Sequence, residues 1–347
     1  MTLKVLILAT NLTRLKQLHR PTIKALPTLI LSILDMLKNR ITKIFKRTFL
    51  ILFVVGLLIF YFIFPRFIIE RRNPILESFK TQNIYNDTIH QEDASMLKRK
   101  KLTFLTYDNL EQSALLTYTH IAKPKGTIIL LHGSSHTKVH FYDLSKFLAT
   151  NGFNSVAVDI RGFGESEGQF FTFGVKESKD VKKLVDVLIH REGLNNIGVW
   201  GQSVGGALAL QSMGSDHRIA YGISESTYTD LKSNIQGFFK RHTGFNLALV
   251  SNFLVDRAGH IGDFDPNDAS PIKYSKQIIQ PTLIIHGGQD EAIDISNSET
   301  IFSTIKSKDK EFIEVESAGH INLWEVGGKA LLDKILRFLN NQAITYN

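Results

Sequence analysis

The residues best suited to do chemistry are Gly201-Gln202-Ser203-Val204-Gly205, with Gly206 following. They lie between an apolar run, 197–200, and a stretch rich in Ala and Leu, 204–212, so the serine falls at a strand-to-helix turn. Small residues on both sides allow a turn tight enough to project the Ser203 hydroxyl, and the first N–H groups of the helix favour negative charge beside it. A serine hydroxyl is a weak nucleophile until a base takes its proton and a carboxylate orients that base. Downstream, Thr282-Leu283-Ile284-Ile285-His286-Gly287-Gly288-Gln289-Asp290 reads as a strand ending in a loop with an acid at its tip. Ser317-Ala318-Gly319-His320 follows another apolar run, 312–315. The expected assignment is Ser203 as nucleophile, His320 as base and Asp290 as orienting acid. Asp294 and Glu225 are the rival acids. His286 reads as structural, and His242 and His260 fall in an inserted segment.

Such a reaction develops an oxyanion that needs backbone donors. The run Ile128-Ile129-Leu130-Leu131-His132-Gly133-Ser134 ends a strand at a His-Gly turn. The N–H groups of Ser134 and Val204 are the expected pair. Losing one such donor typically costs about 10²–10³ in rate.

The elements that must position these residues alternate from about residue 102 onward. Strands are expected near 102–107, 113–121, 127–131, 155–160, 197–200, 219–223, 282–285 and 312–315. Helices are expected near 141–149, 175–190, 204–212 and 330–339. Alternation of this kind builds a mainly parallel sheet covered by helices on both faces. The interruption at 226–280, with Phe238, Phe239, Phe245, Leu247 and Leu249, reads as a small helical cap.

The charge is divided along the chain. Of the net +8, residues 1–47 contribute ten Lys/Arg against one acid, Asp35, so the remainder is close to neutral. Residues 48–65 carry no charge and are mostly Phe, Leu, Ile and Val, which reads as a transmembrane anchor about 27 Å long. Basic residues are denser before this run than after it. The N-terminus is therefore expected in the cytoplasm and the body on the other side. A cleaved signal is the competing reading, but Phe64-Pro65-Arg66-Phe67 offers no small-residue cleavage site. Residues 1–35 read as a tail, or as untranslated sequence ahead of a start at Met36, with Pro21 and Pro27 breaking any long helix. The expected organisation is a basic segment 1–47, an anchor 48–65, a linker 66–100 and a catalytic domain 101–345. The chain has no cysteine, which excludes disulfides and thiolate chemistry. The sequence suggests no metal and no nucleic-acid partner.

Taken together, these motifs resemble the α/β-hydrolase superfamily over roughly 100–340. Asp159-Ile160-Arg161-Gly162-Phe163-Gly164-Glu165-Ser166 is similar to the family's D-x-R-G-x-G-x-S loop, in which the resemblance implies that Asp and Arg brace loops. Glu225-Ser226-Thr227-Tyr228 and Gly319-His320-Ile321-Asn322-Leu323 are similar to the membrane-anchored branch that includes depalmitoylase-like enzymes. Ile321-Asn322 departs from that branch's Asn-Asp. The resemblance implies a serine hydrolase that cleaves esters or thioesters of acyl or lipid-like substrates, without a cofactor. The alternatives are a serine peptidase of the same fold and a non-catalytic binding protein. A dehalogenase or epoxide hydrolase would carry Asp where Ser203 stands.

Overall fold

The computed structural model describes residues 20–70 and 97–344. The chain divides into two units, residues 1–63 and 64–347. The first contains helix α1, Arg20–Phe62. Its 43 residues extend roughly 65 Å, about twice a bilayer's hydrocarbon core. It is the one described helix long and apolar enough to cross a membrane. The expected break at Pro21 and Pro27 does not occur. Pro21 sits in the first turn, where its missing N–H has no helical partner to lose, and Pro27 removes a single rung from a long ladder. Residues 20–35 are thus helical, and residues 1–19 lie outside the described part.

The second unit opens with α2, Phe64–Ile69. Part of the expected linker is therefore structured. Ile69 is fully buried, its carbonyl accepts from Phe171 N at 2.8 Å, and Glu70 bridges to Phe170. At its other end, 99–100 already belong to β1. Residues 71–96 lie outside the described part. The second unit begins at Phe64, ahead of the expected boundary at 101, and burying Ile69 favours packing of this short helix over free solvation.

An eight-stranded sheet forms the body. In chain order the elements are β1 (Arg99–Leu105), β2 (Glu111–Thr117), β3 (Gly126–Leu131), a 3₁₀ turn (Lys138–Phe141), α3 (Tyr142–Thr150), β4 (Phe153–Val158), α4 (Glu177–His190) and β5 (Ile197–Gln202). Then come α5 (Val204–Ser215), β6 (Ile219–Glu225), α6 (Leu231–Thr243), α7 (Ala248–Gly262), α8 (Pro271–Ser275), β7 (Thr282–Gly287), α9 (Ser296–Thr304), β8 (Lys310–Val315) and α10 (Leu323–Ile344). The strand order is β1-β2-β4-β3-β5-β6-β7-β8. Pairing is antiparallel for β1–β2 and β2–β4 and parallel elsewhere.

The uniformly apolar strands follow from burial on both faces. In β3, Ile129 and Leu131 join a core with Leu184 and Leu188 of α4 and Leu208 of α5. Ile128 and Leu130 join the opposite core with Leu144 and Leu148 of α3 and Ile335 and Phe338 of α10. Each such side chain contributes roughly 1.5–3 kcal/mol. Helix α5 is buried from Val204 to Gly214, so the turn at Ser203 leads into an enclosed helix. Between β6 and β7 lie α6, α7 and α8. Asp230 caps α6 by accepting from Ser233 N, and Gly244 ends it in the left-handed region.

Two further features differ from expectation. Helix α9 was not anticipated, because Ile301 is its one fully buried apolar side chain and little periodicity is visible. The last helix begins at Leu323 rather than 330 and carries a kink at Gly328, whose φ is 48°.

Candidate active site

Ser203 occupies the turn between β5 and α5 with φ 56° and ψ −117°, a conformation non-glycine residues rarely hold. Its neighbours enforce it. A Cβ on Gly201 would fall 2.0 Å from Gly205 O, and one on Gly205 would fall 2.0 Å from Leu131 O. The backbone therefore passes where no side chain fits. Ser203 N donates to Glu225 O at 2.8 Å, which ties the turn to the end of β6.

The structure brings Ser203, His320 and Asp290 together from three separate strand ends. His320 Nε2 lies 3.0 Å from Ser203 Oγ, and His320 Nδ1 lies 2.7 Å from Asp290 Oδ2. Asp290 Oδ1 accepts from Ala292 N at 2.9 Å and Ile293 N at 2.8 Å. Burial alone would raise the Asp290 pKa. The His286 and His320 side chains and the Ile293 N–H outweigh it and hold the carboxyl well below its ordinary value. An ionised acceptor fixes the proton of His320 on Nδ1 and leaves Nε2 facing the hydroxyl.

His286 supports this arrangement from behind. Its Nε2 donates to Ile293 O at 2.9 Å and lies 3.3 Å from Asp290 Oδ2, while Nδ1 meets Ser298 Oγ at 2.7 Å. Asp294 turns away and accepts from Ser296 N. His242 and His260 belong to α6 and α7 and are not joined to this group.

The expected oxyanion donors belong to the loop after β3 and to the first residue of α5. Neither Ser134 N–H nor Val204 N–H donates a hydrogen bond among the described residues. A Cβ on Gly133 would lie 3.8 Å from Ser203 Cβ, so the loop bearing Ser134 runs beside Ser203. His132 pins that loop. Buried completely, it donates from Nδ1 to Gly133 O at 2.8 Å and accepts at Nε2 from Ile160 N at 3.1 Å. Burial pushes its pKa down to about 4, so it holds the neutral tautomer this pattern needs.

The other loop motif is a brace. Asp159 accepts from Lys138 N at 2.7 Å and Glu165 N at 2.9 Å, and Arg161 pairs with Asp180 at 2.7 Å and Asp108 at 2.9 Å. None of these touches Ser203.

Sequence reasoning treated Glu225 as a rival acid and as part of a loop motif, and missed its partners. Its carboxyl receives Trp200 Nε1 at 2.6 Å and Trp324 Nε1 at 3.0 Å, and the two indoles stack 5.3 Å apart. Burial pushes this carboxyl up to about 7, against the pull of both indoles and the Gln202 amide. The signal lay in the type of residue present: a buried acid needs donors, and tryptophan offers one each. Also missed was the outward pair His136 and His140, stacked at 3.9 Å, with His140 Nε2 2.9 Å from Gln202 Oε1.

Known proteins share this frame. A family model described as serine aminopeptidase, S33, matches residues 122–261. That range includes Ser203 but neither Asp290 nor His320. Escherichia coli strain K12 protein YfhR is 28% identical over 225 residues, covering 62% of this chain and 72% of its own. Bacillus subtilis strain 168 YuxL, named a peptidase, is 25% identical over 62% of this chain and 33% of its own. Among solved structures, the Pyrococcus furiosus esterase Pf2001 superposes with a TM-score of 0.59 at 23% identity, over 72% of this chain and 93% of that one. Acetyl xylan esterase 1 from Thermoanaerobacterium gives 0.57 at 17% identity, over 73% and 85%.

Proposed function

We propose that this chain, which has the α/β-hydrolase fold, is a serine hydrolase of carboxylic esters or thioesters with acyl or lipid-like substrates, held at a membrane by its N-terminal helix. The single observation that carries the reading is the hydrogen-bonded row Ser203 Oγ, His320, Asp290, with separations of 3.0 and 2.7 Å. In the first step His320 Nε2 takes the Ser203 proton as Oγ attacks the carbonyl carbon. Asp290 stabilises the imidazolium that forms, and the N–H groups of Ser134 and Val204 receive the oxyanion. Collapse expels the alcohol or thiol, which takes the proton from His320. Water then enters by the reverse sequence and releases the acid. Each half-reaction returns the base to its starting protonation state.

The anchoring part of the reading rests on the apolar run 48–65 and its basic flank. The charge asymmetry favours a cytoplasmic N-terminus with the body on the far side. A second reading, a serine peptidase, is favoured by the names of the family model and of YuxL. The same three side chains serve either reaction, so substrate trials must separate them.

The test is hydrolysis of p-nitrophenyl esters of increasing chain length by the intact chain in detergent, beside Ser203→Ala. The expected outcome is turnover that favours the longer acyl chains and falls at least about 10³-fold in the variant. Peptide turnover without ester turnover supports the second reading instead.

A further inference from the structure

The corner of the cap exposes apolar surface that a water-facing protein would cover. Phe238 near the end of α6, Phe245 in the turn and Leu249 at the start of α7 are 48%, 70% and 88% exposed. From Leu231 to Val255 there is no Asp or Glu. Lys240 and Arg241, both exposed, stand between Phe238 and Phe245. Lys232 is already paired to Asp256 at 2.8 Å. Exposed Phe and Leu interleaved with basic residues, with acids absent, make a surface suited to anionic headgroups and the acyl boundary beneath them.

A second observation ties the cap to the segment that follows the apolar helix in the chain. Helix α2 follows covalently on the end of α1 and packs on α7. Ile69 Cδ1 lies 3.2 Å from where a Cβ on Gly262 would sit, at the far end of α7. From Gly262 back to Leu249 is about 20 Å along the helix. The cap is therefore the part of the body tied to the point where the chain leaves its apolar run.

We propose that residues 238–249 seat in the interface of an anionic lipid bilayer, Phe238, Phe245 and Leu249 entering the acyl boundary while Lys240 and Arg241 meet the headgroups. This rests on the membrane-tethered reading above and adds to it a second contact. It also gives the enzyme its substrate class: acyl chains that reach the site from the lipid surface. Ile321, next to His320 in the sequence, is 93% exposed.

The cysteine-free chain makes the test direct. Single cysteines replace Leu249, Phe245 or, as a control, Lys308, which is exposed ahead of β8 at the end of the sheet opposite the site. Each full chain carries an environment-sensitive dye and is reconstituted in phosphatidylcholine–phosphatidylglycerol vesicles containing lipids with a nitroxide on the acyl chain. The expected result is loss of about half or more of the emission at 249 and 245, and little change at 308. Emission at 249 and 245 as unquenched as at 308 overturns the proposal. So does shielding without quenching that rises with the protein-to-lipid ratio, which would assign the corner to a second copy. The double variant Phe245→Ser, Leu249→Gln supplies a kinetic arm. Turnover of a vesicle-borne long-chain ester should fall about tenfold while a soluble acetate ester is unaffected; an unchanged vesicle rate again overturns the proposal. Failure of the hydrolase reading is distinguishable, since it appears as soluble-ester turnover that survives Ser203→Ala whatever the quenching shows.

Discussion

Asp290 and Glu225 are both buried carboxyls, and their surroundings set them to opposite tasks. Asp290 receives two backbone N–H groups and the His320 ring, which hold it ionised. Asp290→Asn keeps the shape but offers an amide that can donate, so His320 no longer presents a free Nε2 to Ser203. Turnover near neutral pH should fall about 10⁴-fold with the fold intact by circular dichroism. Glu225, whose carbonyl accepts from Ser203 N, lies between two indoles, with its carboxyl raised to about 7. An unfolded glutamate titrates near 4.5, so between these values the native state binds more protons than the unfolded one. Its contribution to stability is therefore complete below about pH 4.5 and is lost as pH rises through about 7, up to about 3 kcal/mol in all. Glu225→Gln removes that titration, although its amide NH₂ confronts one indole N–H and lowers stability by a constant amount. Urea titrations from pH 5 to 8 should show a stability difference between wild type and variant that narrows as pH rises. A constant difference would contradict the assignment. Ser203 and His320 were legible in the sequence because glycine spacing and chain order mark them. The Trp200–Glu225–Trp324 clamp was not, because its members are separated by 25 and 99 positions and meet only through the sheet.

At the scale of the element, the turn from β5 to α5 is the costly piece. A non-glycine residue at φ 56° and ψ −117° carries strain of about 1–3 kcal/mol, which the surrounding strands must offset. Gly205 makes this possible by letting α5 approach Leu131. Gly205→Ala sets a methyl 2.0 Å from that carbonyl, so β3 or α5 must move. The expected outcome is a stability loss of about 3 kcal/mol or more, read as a lower thermal midpoint, with turnover reduced in the folded fraction. The elements with strong apolar runs, β3, β4, β5 and β7, were readable from sequence because both faces are buried. Helix α9 was not, since its order depends on contacts such as Ser298 with His286 rather than on an apolar stripe. The unbroken course of α1 through Pro27 shows that one missing donor does not end a helix whose remaining rungs are intact.

The whole molecule joins a near-neutral α/β body to a basic, apolar N-terminal helix. Composition revealed that division because the positive charge is concentrated before residue 48. It did not reveal that residues 64–70 belong to the body, since their burial depends on α7 and the segment around Phe170, far along the chain. The account as a whole depends on Ser203 being the nucleophile of the intact, membrane-held protein. The most direct measurement treats carbonate-washed membranes carrying the full chain with a fluorophosphonate and maps the adduct by mass spectrometry. The account predicts one phosphonylated peptide, modified at Ser203, that disappears in His320→Ala while the protein stays in the membrane pellet. A folded chain that gives no adduct, or an adduct at another residue with ester turnover persisting in Ser203→Ala, would contradict it.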